Sequence, residues 1–555
     1  MRGVRAQRGT VLRCAQWRQE ALLRMLENVL EVGQRPEDLV VYAALGKAAR
    51  DWPSFDRITA TLRTLRGDET LILQSGRPVG VVRTFPGAPR VLSAVNNMVG
   101  SWQTPERFYA MADKGMTMWG GLTAAAWQYI GRQGVLQGTY ELLRTAAERH
   151  FGGAVAGRWL LTAGLGGMGS AQPLAASMLG LSSVTVEADP ARLAAAGAAG
   201  ALDLVVEDLG AALAAVEAAR RSGAVAAVGL RGNAAEVFPA VAAQAVRPDI
   251  VTDQTAAHDA RYGYLPPGMG LDQWALLRET APEEVERAAR AGMAAQVGAM
   301  LALAGSGAVV FENGNNLRVQ AERAGAADAF DIPGFMERYL RPLFCRGIGP
   351  FRWVAVSGDP ADLAVLDNLA ASLFPERPEV AAWIALARAN VPVQGLPARS
   401  CWLGHNERSR MAVAANDAVR DGRLSAPVLF TRDHLDAAAM THPLIGTEGM
   451  PDGSDGVSDW PLLDAMLMSA TGADLVAVHA GGGGYSGFMQ SAGVSIVADG
   501  GAECAERLRR ALDADTGLGI LRYAEAGYGD AAAAVRGAAD VTWTNDPATR
   551  SADDA

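Results

Sequence analysis

Three glycines, Gly164, Gly166 and Gly169, stand in G-x-G-x-x-G spacing within the stretch RWLLTAGLGGMGSAQPLAASMLGLSSVTVE at residues 158–187. An apolar strand, Trp159 to Thr162, precedes them. Ser170 to Leu179 can form a helix, and Ser183 to Val186 form a second strand that runs into Glu187. Each glycine answers a different physical demand. The first permits the tight turn, the second lets the backbone approach a pyrophosphate, and the third lets helix and strand pack closely. The helix N-terminus then offers free N–H groups and the positive end of its dipole to phosphates. Glu187 follows at the roughly 20-residue interval of a carboxylate that holds a ribose 2′-OH. A bare glycine pattern in a chain this rich in Gly and Ala also describes a loop in a packed α/β core. The flanking strand and the following acid favour a dinucleotide.

Two later turns have the same strand-then-polar form. Ala224 to Leu230 lead into Arg231-Gly232-Asn233-Ala234, and Ile250 to Thr252 lead into Asp253-Gln254-Thr255-Ala256-Ala257-His258. In a doubly wound sheet, ligands sit beyond the carboxyl ends of strands, so both turns are candidates to line the cofactor. Val309 to Phe311 followed by Glu312-Asn313-Gly314-Asn315-Asn316 repeats the pattern.

The elements that must position these turns come from a chain of 555 residues, too long for one core and suggestive of two or three domains. Half the residues are apolar and a fifth are charged, an ordinary globular balance. The net charge of -10 is spread without a basic cluster, which argues against nucleic acid or an anionic membrane as partner. Cys14, Cys345, Cys401 and Cys504 lie far apart with no metal-ligand spacing, so reduced thiols and no metal site are expected. The N-terminus lacks an apolar signal core, and the long uncharged run from Ala291 to Phe311 is broken by Gln296, Gly298, Gly305, Ser306 and Gly307, as a buried helix leading into a strand would be. A cytoplasmic location is expected.

At the N-terminus, Trp17 to Val32 read as an amphipathic helix and Leu39 to Tyr42 as a short strand. Thr70 to Gln74 and Val79 to Arg83 read as a hairpin with a type II or bulged turn. The Gly- and aromatic-rich passage from Met116 to Tyr140 has no assignable period. Beyond residue 350 come a helix from about Arg408 to Arg420 and a four-glycine loop after the strand Leu475 to Val478, which suggests close backbone approach to a ligand.

Taken together, TAGLGGMGSAQPLA, VVYAALGKAARDW, QTAAHDARYGYLP, the GNN of Gly314 to Asn316, GPFRW, LPARSCWLG, DGSDGVSDWPLL and HAGGGG resemble the urocanase (urocanate hydratase) family over nearly the whole chain. The resemblance implies an α/β fold in which a Rossmann-like NAD domain, residues 131–349, is inserted into a mixed α/β core domain made of residues 1–130 and 350–555. It implies a homodimer and tightly bound NAD+ that is not net reduced: the imidazole ring of the substrate adds to nicotinamide C4, which activates the conjugated acrylate toward water. The matching cofactor positions are Gly164, Gly166, Gly167, Met168 and Gly169, then Glu187, Arg192, Asn233, Ala234, Gln254, Thr255, Ala256, Ala257, His258, Tyr264, Leu265 and Gly483. Cys401 and Tyr42 match the reacting centre, an inert buried thiol being the alternative for Cys401. Ala43, Ala44, Trp119, Gly121, Thr123, Asn313, Arg352, His405, Asn406 and Ile445 match the substrate pocket.

Departures from the family pattern gather at that pocket. Ala43-Ala44 replace Gly-Gly, Trp119-Gly120-Gly121 replace Tyr-Gly-Gln, Asn313 replaces Tyr, and Ile445 replaces Arg. His405-Asn406 stand where an apolar residue and glycine are usual. Loss of volume at Gly121 and Asn313, and of a cation at Ile445, point to a bulkier, less polar ring: S-methyl thiourocanate or thiourocanate, as in ergothioneine breakdown. Plain urocanate hydration of histidine degradation, an ordinary NAD-dependent dehydrogenase and a non-catalytic NAD-binding sensor are the competing expectations.

Overall fold

The computed structural model describes residues 3–42, 44–131, 133–244, 247–436, 438–443, 450–481 and 489–548. Ala43, Ile445 and Gly483 lie outside the described residues. The opening helix spans Trp17–Glu31 and buries Leu22, Leu23, Met25, Leu26, Val29 and Leu30, the apolar positions of its helical period. Val40–Tyr42 (β1) then pairs antiparallel with Gly46–Lys47 (β2).

Glu69–Gln74 (β3) and Arg77–Arg83 (β4) form the expected hairpin, and Val91–Val95 (β5) runs parallel to β3. Its turn is tighter than expected. Ser75 and Gly76 both have positive φ, +42° and +70°, the signature of a two-residue type I′ turn, and the register shift lies inside the strands at Ile72/Leu73.

Six parallel strands form the next sheet: Trp159–Ala163 (β6), Ser182–Glu187 (β7), Leu204–Val206 (β8), Ala227–Arg231 (β9), Ile250–Val251 (β10) and Val309–Val310 (β11). Their order is β11-β10-β6-β7-β9-β8. Chain order reverses between β6 and β10, so a crevice opens beyond their carboxyl ends, where ligands of open α/β sheets bind. The long uncharged run is the helix Pro282–Gly305 leading into β11, and among the described residues no helix is long and apolar enough to cross a membrane.

The remaining strands are Phe351–Ala355 (β12), Ala398–Ser400 (β13), Val428–Arg432 (β14), Met440–Thr441 (β15), Leu475–Ala480 (β16) and Gln490–Ala498 (β17). They join β3, β4 and β5 in one mixed sheet of order β13-β12-β14-β17-β16-β5-β3-β4, with β15 paired to β17. Strands from either end of the chain therefore share one sheet, and the β16–β5 pairing that unites them is parallel. Its apolar core mixes Leu22, Leu26 and Trp127 with Val354, Leu429 and Val497.

Buried ion pairs fix the end of β14. Arg432 donates to the carboxylates of Asp464 and Asp515, and Arg408 to those of Asp436 and Asp515. Each cation has carboxylate partners, as burial requires, and together they hold the 433–436 turn in place.

The passage from Met116 to Tyr140 is a series of tight turns up to Gly131, and its last residues open the helix Gln133–Phe151. Gly121 has φ +54°, and a Cβ there would lie 2.8 Å from Gly46 Cα. Gly121→Ala is therefore expected to cost about 1–3 kcal/mol of stability, measured by denaturant unfolding, with a loss below ~0.5 kcal/mol counting against the close approach.

Candidate active site

The glycine turn after β6 meets the stereochemical demands of a dinucleotide cradle. Gly164 has φ +89°, and a Cβ there would fall 2.5 Å from the Gln254 carbonyl oxygen. A Cβ on Gly169 would collide with the carbonyl oxygen of Gly164, and one on Gly167 would lie 2.8 Å from the Tyr129 hydroxyl. Gly166 is different: its nearest neighbour would be Gln34 Nε2 at 3.7 Å, so its backbone faces the cavity. The following helix, Ala171–Leu179, has no side-chain cap at Ser170. Its first amides are held by the glycine turn instead, Ser170 N–H donating to Gly166 O, Ala171 N–H to Met168 O and Gln172 N–H to Gly169 O, so the helix start is tied to the cradle.

Glu187, at the end of β7, lines the same cavity with Arg192. Its carboxylate accepts from the backbone N–H groups of Leu165 at 2.7 Å and Asp189 at 2.9 Å, tying the acid to the glycine turn. A carboxylate has about four acceptor positions, so a ribose hydroxyl can share these oxygens. Asn233 caps the helix Ala234–Ala242 through Ala235 N–H and donates to the carbonyls of Leu265 and Pro266. Asn233, Ala234, Tyr264 and Leu265 all reach the cavity wall. Leu271 and Trp274, from the helix Leu271–Thr280, add an apolar wall for which the sequence pattern carried no signal.

Beyond β10, Gln254 donates its N–H to Ala163 O at 2.9 Å and so bridges the ends of β6 and β10. Behind it Asp253 is fully buried and accepts from Thr255, Gln296 and Asn315, while Gln296 also accepts from the Tyr264 hydroxyl at 2.8 Å. Burial raises the Asp253 carboxyl to about 6, although the bonds from Thr255, Gln296 and Asn315 oppose that rise. Gln254, Thr255, Ala256, His258 and Asn313 line the cavity; Ala257 is buried behind them. Burial lowers the His258 imidazole to about 4, and its Nδ1 has no partner among the described residues. A neutral ring with a free nitrogen thus sits on the wall nearest β10.

The opposite wall belongs to the mixed sheet. Tyr42 stacks on Tyr129 with centroids 4.8 Å apart and planes 12° apart, and Thr123 Oγ1 donates to its hydroxyl at 2.9 Å. Burial raises the Tyr42 pKa, so it is a neutral phenol. Asp433 lines the same cavity and accepts from Arg352. Arg352 is itself buried, which lowers its pKa to about 10, and it also donates to Gly134 O at 3.1 Å. Leu122, Leu435, Met440 and Met489 form a small apolar cluster, and all four reach the cavity.

Residues 4–128 match the urocanase N-terminal domain, 131–339 the urocanase Rossmann-like domain and 342–537 the urocanase C-terminal domain. The chain belongs to the urocanase family. It is also 50% identical over 529 residues, 95% of each chain, to the S-methyl thiourocanate hydratase of a Variovorax species.

Set against the urocanase pattern, the substrate wall is not where every departure falls. Ala44 and Asn313 face the cavity. Trp119 does not: it packs edge-on against Phe108 and against Tyr262, and Tyr262 carries the cavity surface. Gly121 does not vacate cavity volume either, because its Cβ direction is filled by Gly46. His405 turns toward the C-terminal helices, its Nδ1 2.7 Å from Thr516 Oγ1 and its Nε2 3.0 Å from Asp540. Asn406 has φ +61° and begins the helix Glu407–Arg420. The backbone there serves a helix start and a latch on the C-terminal segment.

Cys401 is sealed in the main core, and burial pushes its thiol far above the usual range. Its neighbour Trp402 is the residue that reaches the cavity. All four cysteines are free and buried, as expected for reduced thiols.

Proposed function

We propose that this urocanase-family chain is an NAD+-dependent hydratase that adds water to S-methyl thiourocanate. The observation that carries this reading is the 50% identity, spread along 95% of both chains, to a relative named for that activity. The glycine turn would hold the pyrophosphate, Glu187 and Asn233 would hold the adenosine half, and Gln254 and His258 would hold the nicotinamide half. The bound dinucleotide supplies a fixed cationic electrophile.

The chain's own groups do the remaining work. Arg352 provides positive charge behind the wall and holds Asp433 in place. Asp433 is the cavity carboxylate available to hydrogen-bond water and take its proton, while Tyr42, kept neutral by burial and oriented by Thr123, serves as a hydroxyl donor to the substrate. The family resemblance also supports a cytoplasmic homodimer, and a role in ergothioneine breakdown.

Purified protein is expected to hydrate S-methyl thiourocanate with the highest kcat/KM among S-methyl thiourocanate, thiourocanate and urocanate, followed by loss of acrylate absorbance and with no NADH formed. Urocanate outrunning both sulfur compounds would overturn the substrate. Untouched acrylates with bound NAD+ would favour the non-catalytic sensor.

A further inference from the structure

We infer that Leu122, Leu435, Met440 and Met489 are the specificity recess that receives the methylthio substituent of the substrate. This rests on the hydratase reading above and adds to it the residues that select the ring.

The four side chains form a cluster separate from the three large cores of the protein. They come from three distant stretches of chain, and each reaches the cavity. Met440 is fully buried and Met489 nearly so, with Leu122 and Leu435 partly buried against them, so the cluster backs its part of the cavity wall with apolar side chains alone. That surface contains no polar side-chain atom, whereas Asp433, the residue two before Leu435, brings a carboxylate to the same cavity. Asp433 stands next to the cluster, its carboxylate accepting from Leu435 N–H at 3.3 Å, so charge and apolar groups border the same cavity.

The recess is built rather than incidental. Met440 pairs with Ser491 across β15 and β17, and its carbonyl accepts from the buried Arg522 guanidinium at 2.6 Å. The Met489 carbonyl accepts from Gly481 N–H at 2.7 Å. Leu122 has φ +49°, a backbone region that side chains with a Cβ seldom occupy and that persists where surrounding structure imposes it.

A methylthio group suits such a wall. It is apolar, polarisable and without a donor, and methionine thioethers adapt closely to it through dispersion. Urocanate carries hydrogen at that position and would leave the recess unfilled. Thiourocanate would turn a polar thioamide edge toward groups that cannot hydrogen-bond to it, so it is rejected as an unpaired polar group is.

The test measures kcat/KM for the three acrylates on wild type, Met489→Gln and Met440→Gln, each purified with its dinucleotide. Glutamine keeps methionine's length and adds hydrogen-bonding atoms. Each variant is expected to lose about tenfold or more on S-methyl thiourocanate while urocanate changes less than about threefold, so that the preference narrows or inverts. Equal losses on all three substrates in folded, dinucleotide-bearing variants, or an unchanged preference, would overturn the recess while leaving the hydratase reading intact. A wild type without preference for the methylthio compound would instead overturn the reading on which it rests. Met489→Leu, which keeps the wall apolar, should retain the preference; its loss there would also count against the recess. That variant decides the matter if Met440→Gln fails to fold.

Discussion

Gly169→Val is expected to yield a folded protein that carries no dinucleotide and hydrates none of the acrylates. The cause is steric and local. A Cβ at this position already meets the Gly164 carbonyl oxygen, so valine can be accommodated only by opening the turn that carries Gly164, Gly166 and Gly167. Opening it moves the amides that face the phosphates and detaches the turn from Glu187, whose carboxylate holds Leu165 N–H. A ligand present at about a thousandfold above its Kd stabilises a protein by ~4 kcal/mol, so its loss should also lower the unfolding midpoint. Dinucleotide released into the supernatant on denaturation gives the readout, with circular dichroism reporting the fold. A folded variant that keeps a full complement of dinucleotide would remove Gly169 from the cradle.

The cradle was legible in the sequence because its requirement is local. Three glycines, one helix start and one carboxylate are spaced along 24 residues, and each is demanded by backbone geometry that spacing alone encodes. The strands around it were legible for the same reason, their apolar runs being short and bounded by polar turns. Asp433 carried the same signal: Val428–Arg432 is an apolar strand followed by a polar turn, the form that pointed to Gln254 and Asn313, so that pattern could have found it. Other side chains around the site had no such signature. Trp119 and Tyr262 lie more than a hundred residues apart, and only packing decides that the tyrosine covers the tryptophan. His405 is adjacent in sequence to a cavity-side segment but is drawn away by Asp540, a partner 135 residues later. The Met440–Met489 cluster depends on β15 pairing with β17, and a two-residue strand leaves no periodic trace.

The second large effect is acid lability, expected from four buried histidines. His258 is lowered to about 4 and His479 to about 3, and His434 and His442 lie well below the usual imidazole value. Desolvation is the leading cause in each, and in His434 the neighbouring His479 adds to it; the two rings meet edge to face, with Nε2 and Nδ1 3.1 Å apart. With both rings neutral one can donate to the other, while His434 Nδ1 and His479 Nε2 stay buried without a partner among the described residues, so a proton on either ring would be poorly compensated. The sign follows from linkage: the folded protein resists protons that the unfolded chain accepts near pH 6.5. Stability is therefore fully present above about pH 6.5 and is lost as pH falls toward the folded values near 4 and 3. By pH 5 the loss is on the order of 2 kcal/mol each for His258 and His479, and His434 and His442 add to it in the same direction, a large share of the 5–15 kcal/mol that typically holds a protein folded. Asp253 opposes the trend, since its raised carboxyl stabilises the folded state below about 3.8 and loses that contribution as pH rises through about 6. One carboxyl offsets only about 1 kcal/mol of the loss between pH 6.5 and 5. The Tm is accordingly expected to fall by more than about 5 °C from pH 6.5 to 5, and His258→Gln, which removes one titrating group, should make that slope shallower. A Tm independent of pH over this interval, or a slope unchanged in His258→Gln, would show that these imidazoles are protonated in the folded protein.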